Sequence, residues 1–256
     1  MPAVELAISG RRADIVLGRP DVLNAMNWEV FDGLARAADD LLGAGDVRVV
    51  VVSGAGRSFC SGIDTAAFGE FAGSVDEMVA RAQAGFRRIA GLPMPVVAAV
   101  QGHALGAGLQ LAMACDLRVV ADDATLGLLE ARFGLIPDLC GTQRLPALVG
   151  PARAKKMIWL AERISGTEAG VCGLADIVVP VGEMHTTADE LATRLAGAPP
   201  IATREVKRLV ELAGRVELDV GMDEEANAQR RTLASSDFSE GIAAYIAKRS
   251  PKFTGH

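Results

Sequence analysis

Val-Ala-Ala-Val-Gln-Gly-His-Ala-Leu-Gly-Ala-Gly-Leu-Gln-Leu-Ala-Met-Ala-Cys-Asp-Leu, residues 97–117, changes its hydrophobic period midway. The Val-rich apolar run from Pro95 to Val100 predicts a buried strand, and Gln101 to Ala107, with Gly102 and Gly106, predicts a tight loop. From Gly108 onward Leu109, Ala112 and Met113 repeat at i, i+3 and i+4, the spacing of a helix. A strand turning through glycines into a helix leaves the first helical amides unpaired and outward, where they attract negative charge on oxygen. Ala107 between Gly106 and Gly108 lets a carbonyl approach the backbone closely, as an oxyanion hole requires. The same glycines also serve plain close packing of strand on helix, and both readings stay open on these residues alone.

The rest of the chain narrows the class. Its 256 residues suffice for one large domain or two small ones; half are hydrophobic and only 4% aromatic, so the core is built from Ala, Val, Leu and Ile. The net charge is -6 and Lys and Arg are scattered, which excludes a basic stripe for nucleic acid. The longest uncharged run, Ile89 to Cys115, is interrupted by Pro93, Pro95, Gln101, His103 and Gln110, so no membrane span is expected. The start, Met1-Pro2-Ala3-Val4-Glu5, lacks the pattern of a signal peptide, and a cytoplasmic protein is expected. Cys60, Cys115, Cys140 and Cys172 have no Cys-x-x-Cys spacing, and His103, His185 and His256 form no ligand pattern; reduced thiols and no metal are expected.

Taken in order, Val4 to Ile8 and Ala13 to Leu17 read as two strands joined at Ser9-Gly10. Asn27 is a candidate N-cap for a helix from Trp28 to Leu42, and Val47 to Val52 is a further buried strand. Thr65 to Arg88 is polar and ends in an amphipathic run through Met78, Val79, Phe86 and Ile89, a segment expected to help cover a ligand. Leu117 to Val120 predicts a strand and Pro151 to Leu160 a helix. From Ala188 to Lys248 helical periodicity dominates, with breaks expected at Pro199-Pro200 and around Gly221. The change from mixed strands to pure helix marks a candidate boundary, giving a core of residues 1–195 and a helical region of residues 196–256.

Glu130 stands in an apolar setting, Ala-Thr-Leu-Gly-Leu-Leu-Glu, where desolvation raises a carboxyl pKa and suits it to proton transfer. The plainer reading is a surface residue paired with Arg132. Asp138 follows Pro137 and is either a loop acid, common in Pro-Asp, or a second proton-transfer or water-holding group. Asp64 reads first as a turn or cap residue.

Three stretches, Ser58-Phe59-Cys60-Ser61-Gly62-Ile63-Asp64, residues 97–117 and Gly141-Thr142-Gln143-Arg144-Leu145-Pro146, together resemble the enoyl-CoA hydratase/isomerase (crotonase) family in sequence and order. The resemblance implies an α/β fold, a spiral of strand-strand-helix turns with a C-terminal helical subdomain. It also implies an acyl-CoA substrate whose thioester oxygen is held by the amides of Ile63 and Ala107, with Gly62, Asp64 and Gly106 beside it, and a catalytic Glu at position 130. One such oxyanion donor is worth about 3–4 kcal/mol. Coenzyme A is then part of the substrate, and no separate cofactor is implied. The terminal Lys248-Arg249-Ser250-Pro251-Lys252-Phe253 is similar to a family ending that contacts CoA, which makes Lys252 and Phe253 candidates; a frayed tail is the alternative. Relatives form trimers or paired trimers, so a homotrimer or dimer of trimers is expected.

One departure bears on mechanism. Hydratases of the family carry a second acidic residue where this chain has Gln110, and an amide cannot accept and return a proton at ordinary pH. Hydration by two carboxylates is in doubt on that ground, whereas one carboxylate suffices to move a proton between two carbons of an enolate. Family dienoyl isomerases have an Asp at the position of Asp138, but they also keep the acid that Gln110 replaces. The expectation is a hydratase/isomerase-type enzyme using Glu130, with double-bond isomerisation as the alternative. A protein that binds acyl-CoA without chemistry is the rival from another class.

Overall fold

The structure is a computed structural model, and it describes residues 1–70 and 72–256. Position 71, within the segment expected to help cover a ligand, lies outside the described residues. The strands are β1 Val4–Ser9, β2 Arg12–Leu17, β3 Val49–Gly54, β4 Val96–Val100, β5 His103–Leu105, β6 Leu117–Ala121, β7 Thr125–Gly127, β8 Arg163–Ser165 and β9 Ile177–Val179. The first helices are α1 Trp28–Gly43, α2 Ala67–Glu70, α3 Val75–Ala90 and α4 Ala107–Ala114. After them come α5 Gly141–Val149, α6 Pro151–Trp159, α7 Gly166–Cys172, α8 Met184–Ala196, α9 Pro200–Leu212, α10 Leu218–Leu233 and α11 Ser236–Ile246.

The main sheet has the order β1-β2-β3-β4-β6-β9, antiparallel only between β1 and β2. Its inner strands are apolar along their length because both faces are covered: every residue of β4 is buried, as are Val49 to Val52 of β3. In β2 the period is two; Ala13, Ile15 and Leu17 are fully buried on one face, while Arg12 on the other reaches Asp189 of α8 at 2.8 Å. A smaller sheet, β5-β7-β8, packs through β5 against α4.

Asn27 caps α1 by accepting the Val30 amide at 3.2 Å, and α3 starts with a reciprocal capping box between Ser74 and Glu77. The two helices pack through Phe31 and Phe86, whose ring centroids are 6.3 Å apart. Among the described residues no helix is long and apolar enough to cross a membrane.

Three expectations shift. The loop expected over Gln101 to Ala107 contains β5, too short at His103–Leu105 to show a period, and it pairs with β7. The strand expected at Val47 to Val52 begins at Val49 and runs to Gly54. The helical break expected at Gly221 falls instead after Leu212: Gly214 takes φ +75, whereas Gly221 lies inside α10. A single glycine costs a helix about 1 kcal/mol relative to Ala, which neighbouring turns absorb.

Candidate active site

The site is assembled from the loop after Cys60, the start of α4, and the turn that carries Glu130. Cys60 holds its loop against β5: its amide donates to His103 O at 2.8 Å, and its carbonyl accepts from Leu105 N at 3.0 Å. One step on, Met26 N donates to Gly62 O at 2.8 Å and Asp64 N donates to Met26 O at 2.9 Å. Residues 62 and 64 thus bond towards Met26, so the N–H of Ile63 between them faces the other way. It has no hydrogen-bond partner among the described residues.

Gly106 turns the chain from β5 into α4 with φ +51 and ψ −119, and its own amide donates to Gly127 O at 2.8 Å. The amide of Ala107, first residue of α4, is left without a partner among the described residues, as the first turn of a helix dictates. A Cβ on Gly106 would lie 4.0 Å from the Gly62 Cα and 3.3 Å from Glu130 Oε1. Gly62, Gly106 and Glu130 therefore meet at one point, with the two free amides of Ile63 and Ala107 on adjacent residues.

Glu130 opens a 3-10 turn, Glu130–Phe133, and is half-buried. Its Oε1 accepts from Gln110 Nε2 at 2.8 Å, and its Oε2 is buried with no hydrogen-bond partner among the described residues. Burial pushes its pKa up and the charge of Asp138 adds to the rise, while its own backbone amide and the Gln110 donor partly offset it. The alternative of a surface pair with Arg132 is overturned, since that guanidinium turns to the carbonyl of Ala161 at 3.5 Å.

Gln110 is 1% exposed and fully engaged: its Oε1 accepts from Leu139 N at 2.7 Å and from Gly141 N at 2.9 Å. These two amides flank Cys140, whose φ of +90 folds the chain into a small cradle ahead of α5. Nothing in the local sequence announced that cradle; the Gly141–Pro146 stretch served only to carry the family resemblance. Asp138 is half-buried, its carboxyl pKa raised by burial, and it lines a cavity of about 1010 Å³ between α3, α5 and α9. Its backbone carbonyl is held by Gln83 Nε2 at 2.7 Å.

The other candidates separate. Asp64 is occupied as a brace: Arg19 reaches it at 3.1 Å and the Ala66 amide at 3.3 Å, the turn role rather than an open contact. Lys252 and Phe253 stand with α11: the Lys252 amide donates to Glu240 at 2.7 Å, and Phe253 lines a small cavity with Pro199, Ile201 and Phe238. The chain end is not frayed. Arg48 donates to the carbonyls of Phe253 and Thr254 at 3.0 and 3.1 Å, and Asp237 accepts from the amides of Thr254 and Gly255.

Comparison with known proteins converges on one family. The family model for enoyl-CoA hydratase/isomerase matches residues 9–256. The chain is 37% identical over 252 residues to the Homo sapiens enoyl-CoA hydratase domain-containing protein 2, mitochondrial, covering 94% of this chain and 85% of that protein. The crystal structure of the enoyl-CoA hydratase from Bacillus anthracis superposes with a TM-score of 0.94 at 34% identity, covering 99% of both chains. A Thermobifida fusca YX protein described as an enoyl-CoA hydratase, solved in complex with CoA, superposes at 0.84 with 38% identity over 91% of this chain and 93% of that one. With a matching family model over nearly the whole sequence and close structural agreement end to end, the chain belongs to the enoyl-CoA hydratase/isomerase family of enzymes.

Proposed function

We propose that this enzyme moves a double bond within an enoyl-CoA thioester, with Glu130 as the proton carrier and the amides of Ile63 and Ala107 holding the thioester oxygen. The observation that carries the reading is Glu130 Oε2, a buried carboxylate oxygen without a partner among the described residues, next to a glycine turn that leaves two amides without partners among those residues. Ionised Glu130 takes a proton from C2 of a 3-enoyl thioester. The electron pair moves onto the thioester oxygen as an enolate, where two preorganised N–H donors act without reorganising. The neutral acid then returns the same proton to C4, and the double bond ends between C2 and C3. No atom is gained or lost, and coenzyme A enters as part of the substrate with no separate cofactor.

Water addition is the second reading, because Asp138 is a half-buried acid whose charge Glu130 feels. It requires one group to take a proton from water while C2 is protonated, and Gln110 presents an N–H to Glu130 where a second carboxylate would have to be. The two readings separate when crotonyl-CoA and a 3-enoyl-CoA are turned over in parallel under the absorbance of the conjugated thioester. Gain of conjugation from the 3-enoyl substrate is expected. Loss of conjugation from crotonyl-CoA alone establishes hydration instead, and tight binding with no change in either leaves a protein that binds acyl-CoA without chemistry.

We read residues 196–256 as the part that joins subunits and covers CoA, with Lys252 and Phe253 as contacts. Leu218, Met222, Phe238, Ile242 and Tyr245, on α10 and α11, are exposed large apolar side chains, the kind of surface that supports this reading. Sedimentation is expected to show a trimer or a dimer of trimers; a concentration-independent monomer refutes this.

A further inference from the structure

We propose that Gln110 is a positioning residue for Glu130: clamped by the amides of Leu139 and Gly141, it turns its NH2 onto Glu130 Oε1 and leaves Oε2 as the oxygen that takes and returns the proton. This rests on the reading of Glu130 as the acid/base.

The orientation of a buried amide side chain follows from its partners. Leu139 and Gly141 both bring N–H donors to one end of Gln110, at 2.7 and 2.9 Å, and only its oxygen satisfies them. Flipped, the amide would set donors against donors at that end and its oxygen against the carboxylate at the other. The NH2 is therefore committed to Glu130, 2.8 Å away. An oxygen that receives an N–H acts as an acceptor, so when Glu130 is neutral its proton sits on Oε2, the buried atom with no partner among the described residues.

The surroundings leave few other agents. From α4 Glu130 meets the uncharged Gln110; from the loop ahead of α5 it feels Asp138, whose charge opposes ionisation. Arg132, on the same 3-10 turn, is committed to Ala161. Cys140, at the left-handed turn between the two clamping amides, is tied to the Gln110 carbonyl at 3.4 Å. The clamp also explains why a carboxamide at this position is compatible with the fold: both of its ends are used.

A loop clamp and a positioning donor make different demands, and Gln110→Glu tells them apart. A carboxylate still accepts the two amides, so the clamp survives, but it replaces the donor facing Glu130 by an acceptor. Two carboxyls at that separation share a proton and titrate as a pair. The measurement is an infrared carboxyl titration of the intact protein, with Glu130→Gln as the reference, followed by the pH profile of kcat/KM for 3-enoyl-CoA. The upper midpoint is expected to rise by about one pH unit or more in Gln110→Glu, with the acid limb of kcat/KM moving alongside it. Midpoint and limb both unmoved overturn the proposal and leave Gln110 a clamp only. Should Gln110→Glu not fold, Gln110→Met removes the donor at similar volume; the midpoint is again expected to rise, and its constancy overturns the proposal. Full activity in Glu130→Gln would instead remove the acid/base reading, while the infrared midpoints would still decide the coupling.

Discussion

Glu130→Gln is expected to lower kcat/KM by about 10³- to 10⁴-fold, near the upper end of what general acid–base groups contribute. The substitution keeps the volume and still meets the Gln110 side chain, so the loss reports chemistry. In the proposed mechanism the reaction begins with the ionised carboxylate, and burial, helped by the charge of Asp138, holds that group's pKa above the ordinary carboxyl range. Wild-type activity therefore falls as pH drops through the raised value, and the residual activity of the variant lacks that limb. Stability runs the other way. A carboxyl whose folded pKa is raised contributes stability below its unfolded pKa and loses it as pH rises through the folded one. The Tm of Glu130→Gln is thus expected to gain on wild type as pH rises from the ordinary carboxyl range through the raised folded value. A variant that keeps its turnover, or shows a pH-independent difference in Tm, contradicts the assignment.

The second large effect belongs to Gly106→Ala. The backbone there, φ +51 and ψ −119, is one that side chains rarely adopt, and the new methyl would press on Glu130 Oε1 at 3.3 Å. Relief requires moving the carboxylate or the Ala107 amide, the two groups that the proposed mechanism needs aligned. A loss of about 10²- to 10³-fold in kcat is expected, the range seen when one oxyanion donor is removed. Strain in the backbone alone costs about 1–3 kcal/mol. Gly10→Ala supplies the control, since Gly10 also has positive φ, +58, with open space around its missing Cβ. It is expected to lower stability without touching kcat; equal kcat in both variants refutes the placement of Gly106 in the site.

What the sequence revealed and what it hid divide along physical lines. Strand β4, helix α4 and the Asn27 cap were legible because each is specified locally: a Val-rich run, a change to helical period, a side chain that bonds its own neighbour three residues on. Strand β5 was not, because three residues show no period and it exists only through pairing with β7. The burial of Glu130 was legible from its apolar neighbours, and its candidate role came from the family resemblance. The fate of Gln110 was not, since Leu139 and Gly141 lie about thirty positions away and meet it only after the left-handed turn at Cys140 has formed. Asp64 shows the reverse: its turn role was legible nearby, but the partner that occupies it, Arg19, is brought by the fold.

The central claim, one buried carboxylate oxygen carrying one proton along the acyl chain, is tested most directly by isotope. A 3-enoyl-CoA deuterated at C2 is turned over in ordinary water and the product analysed by mass spectrometry and NMR. A conjugated 2-enoyl-CoA isomer is expected, with part of the C2 deuterium recovered at C4 because Glu130 Oε2 is screened from solvent. A product heavier by one water, hydroxylated at C3 with no deuterium at C4, would contradict it.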